Sequence, residues 1–99
     1  MSSPGGQFEI IIAPNITQQI RALHRDAARA GAGRRFLAAL RRVTLRLELD
    51  PHDFGEPMYR LPALRLQIRC AIVPPLIIHF GVCEDRATVY VKGVESLGE

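Results

Sequence analysis

The sequence predicts an α+β fold: an N-terminal β-strand, an αα-hairpin, then a three-stranded antiparallel meander, forming one sheet with the helices on one face. Three observations carry this expectation. A β-branched apolar run lies near the start of the chain. Apolar residues then recur with helical spacing through residues 15–50. Beyond residue 57 the spacing changes to alternation, the period of a strand.

The first element is residues 7–13, QFEIIIA, stopped by Pro14-Asn15. Ile10, Ile11 and Ile12 in a row predict a strand buried on both faces. Asn15 or Thr17 offers a cap for the next element. From there Ile16, Ile20, Leu23 and Ala27 form one helical stripe, with Arg21, Arg25 and Arg29 on another face. Gly31-Ala32-Gly33 ends this helix, since glycine accepts the left-handed conformation that follows a helix C-terminus. A second helix is expected over residues 34–49, with Phe36, Leu37, Leu40, Val43, Thr44 and Leu47 as its apolar stripe. Asp50-Pro51 stops it, because a residue before proline avoids the helical region.

Residues 51–57, PHDFGEP, read as a loop. Leu64, Leu66, Ile68 and Cys70 then alternate with Arg65, Gln67 and Arg69, which predicts a half-buried strand with its arginines toward water. Pro74-Pro75 makes a turn before a second strand at residues 76–82, and Glu84-Asp85 makes a turn before a third at residues 87–94. Short connections favour antiparallel pairing. The helical stripes require one face of this sheet as their packing surface.

Composition agrees with a single globular domain. Of the 99 residues, 47% are hydrophobic and 23% charged. Residues 1–6 read as a flexible tail and residues 7–99 as the domain. No membrane association is expected, because the longest apolar run, residues 70–80, is broken by proline and too short to span a bilayer. Cys70 and Cys83 lack a metal-binding or redox spacing and read as small buried hydrophobes, which suits a reducing cytoplasmic setting. The net charge of +3 is uneven. Residues 1–50 hold eight arginines against four carboxylates, whereas residues 51–99 hold five cations against six. Twelve of the 13 cations are arginine, so the helical half suits a nucleic acid or an acidic protein, or is simply a solvated face.

Several stretches resemble the RelE/ParE-type toxins. They are L-x-L-x-x-D-P-H-D-F-G-E-P over residues 45–57, then Tyr59-Arg60-Leu61, then residues 64–69, Phe80-Gly81-Val82, Glu84-Asp85 and residues 89–92. The likeness spans about nine tenths of the chain and lies in pattern more than in invariant residues. It implies the toxin of a type II toxin–antitoxin pair, bound by a cognate antitoxin that wraps it. RelE-like members cut messenger RNA on the ribosome without a metal or other cofactor. ParE-like members poison DNA gyrase. A shared fold does not choose between these.

Metal-free RNA cleavage needs a base for the 2′-hydroxyl, a cation for the phosphorane and an acid for the leaving oxygen. By resemblance, those groups sit on the exposed sheet face. Here they would be Arg65 and Arg69 on phosphate, His79 or Tyr90 exchanging protons, and Lys92 stabilising charge. Gln67 stands where the family commonly keeps a cation, and Pro75-Leu76 stands where it commonly has a Tyr-Arg pair. A non-catalytic relative, ParE-like or purely protein-binding, is the alternative.

Overall fold

The computed structural model describes residues 7–97, so the tail expected at residues 1–6 lies outside the described residues. It is an α+β fold with two helices and a five-stranded mixed sheet. The elements are β1 (Glu9–Ile12), α1 (Pro14–Arg29), α2 (Gly33–Leu49), β2 (Glu56–Leu61), β3 (Leu66–Val73), β4 (Leu76–Cys83) and β5 (Thr88–Ser96), with 3₁₀ turns at Pro51–Asp53 and Pro62–Leu64. The sheet order is β1-β5-β4-β3-β2. Strands β2 to β5 form an antiparallel meander, and β1 lies parallel to β5 at one edge.

The expected three-stranded meander is therefore one strand short. The missing strand is β2, in a segment read partly as loop. Pro57 masks its alternation, and a register shift between Pro57 and Tyr59 breaks the period. Such an exposed edge strand, with proline where no ladder donor is needed, gives little apolar signal.

The helices form largely as their periodicity requires. Ile16 is buried, and Ile20, Leu23 and Ala27 pack against the core. Helix α1 begins earlier than expected, with Pro14 in its first turn and Ala13 as its N-cap, so neither Asn15 nor Thr17 caps it. Proline suits that position because its missing N–H would have no helical partner. Gly31, at φ +78°, makes the tight joint to α2. On α2, Phe36, Ala39, Val43 and Leu47 are buried, while Leu37 and Thr44 face outward, contrary to the expected stripe.

Both helices cover one face of the sheet. Their side chains meet Leu76, Ile78, Phe80 and Val82 of β4, Val89, Val91 and Val94 of β5, and Ala71 of β3. Strand β1 is not buried on both faces. It is an edge strand, and Ile11 and Ile12 remain exposed.

The largest correction concerns β3. The strand begins at Leu66, not Leu64, and Leu64 is 64% exposed in the preceding turn. Ala71 and Val73 pack against the core, so Gln67 and Arg69, in phase with them, face the helices. Leu66, Ile68, Cys70 and Ile72 take the other face. The expected orientation is inverted, since a shift of one residue moves every side chain across the sheet.

Candidate functional site: the helix-free face of the sheet

Arg69 does not reach the open face. It is only 6% exposed. Its Nε donates to the Phe54 carbonyl at 2.9 Å, its Nη2 to the Gly55 carbonyl at 3.0 Å and its Nη1 to Gln67 Oε1 at 2.8 Å. A buried charge is tolerable when its donors are matched in this way. Arg69 thus fastens the loop before β2 onto β3. Gln67, read as facing water, is a partner in that arrangement.

Arg65 is not in a strand either. It follows the Pro62–Leu64 turn with left-handed backbone, at φ 53° and ψ 45°. Its side chain points toward the β4–β5 turn, with Nη1 3.9 Å from Asp85 Oδ2. Around it, the Glu84 amide donates to the Arg65 carbonyl at 2.8 Å, and Arg60 forms a two-pronged pair with Glu84. That hydrogen bond from Arg60 holds the exposed Glu84 carboxyl below its ordinary range. Asp85 is held low by the Cys83 thiol, whose Sγ lies 3.2 Å from Oδ1. Arg69 is therefore kept from the open face, whereas Arg65 is exposed and stands outside the strands, beside the β4–β5 turn.

The other three predicted residues do share that face. Strand register aligns Ile11, Tyr90, Gly81, Ile68 and Tyr59 in one row across all five strands. His79 lies in the next row, opposite Gly93 on β5 and Cys70 on β3. Val91 pairs with Phe80 and Gly93 pairs with His79, which leaves Lys92 as the extra residue of a β-bulge. Bulges redirect a side chain while leaving the flanking pairs intact.

Lys92 reaches across the face. Its Nζ lies 3.4 Å from Tyr59 Oη and 5.8 Å from the centre of the Tyr59 ring. Strands β4 and β3 separate the two residues, so their side chains meet above Gly81 and Ile68. That roof accounts for Ile68 being only 3% exposed on a face no helix covers. Gly81 makes the row possible, because a Cβ there would stand 3.2 Å from Ile68 Cδ1. The half-buried His79 has its Nε2 3.9 Å from Glu95 Oε2. Glu56 shares the face opposite Cys70.

The resulting surface is aromatic and aliphatic, with one lysine, one histidine and two carboxylates. Tyr59 is the residue that sequence reasoning missed as part of the site. Its neighbours Arg60 and Leu61 suggested a family motif, but its contact with Lys92 depends on the order of four strands. Among the described residues, no three His, Cys, Asp or Glu side chains come together as a metal-binding group. No described helix is long and apolar enough to cross a membrane. No protein-family model and no curated protein matches this chain.

Proposed function

We propose that this protein is the toxin of a type II toxin–antitoxin pair with a RelE/ParE-like fold, and that it acts by binding a protein target, as ParE-like members bind DNA gyrase. The order strand, helical hairpin, antiparallel meander supports the family reading. One observation carries the choice of action: Arg69 is buried against the Phe54 and Gly55 carbonyls and Arg65 stands outside the strands beside the β4–β5 turn, which leaves Tyr59, Tyr90 and Ile11 in one row of the helix-free face with a single lysine, and an exposed Ile72 further along β3. Phosphodiester cleavage requires cations on the scissile phosphate. Protein recognition instead relies on exposed aromatic and aliphatic anchors. The cognate antitoxin is the second partner of this reading, and the setting is cytoplasmic.

Ribosome-dependent messenger RNA cleavage is the second reading. The shared face of His79, Tyr90 and Lys92 favours it, with a tyrosine and an imidazole available to exchange protons.

Purified protein added to a plasmid supercoiling reaction separates the two. Inhibition of gyrase is the expected result. Tyr59→Ala should weaken it about tenfold or more, as loss of an interface anchor does. Normal supercoiling together with cut messenger RNA on translating ribosomes would reverse the order of the two readings.

A further inference from the structure

The helical layer carries a charge distribution that the sheet face leaves unused. Helices α1 and α2 hold eight arginines and two carboxylates, Asp26 and Glu48. Only Arg46 among these arginines has a carboxylate partner within 4.0 Å among the described residues, namely Asp50. Arg21, Arg25 and Arg29 are exposed and stand four residues apart on the side of α1 opposite Ile16, Ile20, Leu23 and Ala27. At 1.5 Å per residue they form a line of about 12 Å.

Of these three, only Arg29, in the last turn of α1, sits where the helix dipole favours a cation. Like charges four residues apart on a helix repel, by roughly 0.2–0.5 kcal/mol a pair. Arg34 and Arg35 sit in the first turn of α2, which has no acidic residue, where the helix dipole favours an anion. They follow Arg29 in the chain across the short Gly31 joint, and both are exposed. A solvated helix face would normally intersperse both signs.

The residues flanking the α1 arginines on that side are Gln18, Ala22, Ala28 and a single carboxylate, Asp26, which has no arginine partner within 4.0 Å among the described residues. None is a large apolar anchor of the kind a protein interface centres on. None is an aromatic ring on which a single-stranded base could stack. A line of guanidiniums without anchors or stacking platforms matches the regular phosphates of a double helix. From this we infer that the exposed arginine line of α1 binds the phosphate backbone of a nucleic-acid duplex without reading its sequence. This surface is separate from the sheet face and does not depend on the toxin reading.

Fluorescence anisotropy of the full chain against a labelled duplex of about 20 base pairs tests this directly. The probes are duplex DNA, duplex RNA and single-stranded RNA of matched sequence. Binding should appear near 50 mM salt, with the two duplexes within about threefold of each other and the single strand weaker. The triple variant Arg21→Gln, Arg25→Gln, Arg29→Gln should lower the slope of log affinity against log salt by about 2.7, at roughly 0.9 for each lost phosphate contact. Its melting temperature should stay within about 5 °C of wild type, because relief of the repulsion offsets the loss of the favourable Arg29 charge in the last turn of α1, whereas Tyr59→Ala should leave duplex binding intact. The inference is overturned by no binding at low salt, by an unchanged salt slope in the triple variant, or by poly-glutamate competing as well as the duplex. The last result would mark the line as a site for acidic protein.

Discussion

Replacing Arg69 with alanine is expected to destabilise the protein by about 2–4 kcal/mol, seen as a melting temperature lower by roughly 10–25 °C. The substitution removes three hydrogen bonds from a charged donor and strips the Phe54 and Gly55 carbonyls of their partner. An orphaned buried polar group costs more than the average hydrogen bond contributes. The damage extends beyond one residue. Phe54 stacks on Phe80 with ring centres 5.6 Å apart, and Arg46 lies 4.8 Å over the same Phe54 ring. Releasing the loop therefore loosens a contact between the edge of the sheet and its centre. Lysine at position 69 should rescue little, since it lacks the planar fork that spans two adjacent carbonyls. Arg65→Ala is the control. Its 3.9 Å contact with Asp85 is exposed, so its loss should change stability by less than about 0.5 kcal/mol. Two arginines that looked equivalent in sequence should thus differ severalfold in effect, measured by thermal and urea unfolding.

Gly55→Ala should be at least as severe, at about 3–5 kcal/mol. Gly55 has φ +72°, and a Cβ there would lie 2.3 Å from the Cys70 carbonyl oxygen and 2.8 Å from Ala71 Cβ. Those atoms belong to β3, so relief requires the backbone to move and the grip of Arg69 on Gly55 to be lost. A domain of this length has a total stability of about 5–15 kcal/mol, so the variant should be poorly soluble or partly unfolded at 37 °C. Gly31→Ala separates the two causes. Gly31 has a similar φ of +78°, but a methyl group added there would meet nothing within 4 Å. It should show only the left-handed backbone cost of about 1 kcal/mol. Equal effects at the two glycines, measured by urea midpoint, would contradict the proposed clash.

The helices were legible because burial imposes a 3.6-residue stripe, and Gly31 and Pro51 mark the breaks. Strand β4 was legible too: Leu76, Ile78, Phe80 and Val82 take the core, which turns His79 outward. Strand β3 misled because both of its faces carry apolar residues. Leu66, Ile68 and Cys70 look like a core set, but Ala71 and Val73 hold that role. Arg69 defeated the rule that charges face water, since its three acceptors come from a loop and a neighbouring side chain. Of the five predicted site residues, His79, Tyr90 and Lys92 share the open face, whereas Arg65 and Arg69 do not. Strand alternation alone could not supply Tyr59, because its meeting with Lys92 requires the bulge in β5 and the full strand order.

The central claim is that the helix-free face, and not the pair Arg65 and Arg69, carries a toxic activity. Growth rate of a bacterial host after induction of the soluble protein, without an antitoxin, tests it most directly. Wild type should slow growth, Arg65→Ala should slow it equally, and Tyr59→Ala with Tyr90→Ala should restore it while remaining folded and soluble. Normal growth with abundant soluble wild-type protein, or relief by Arg65→Ala and none by the tyrosine pair, would contradict that claim.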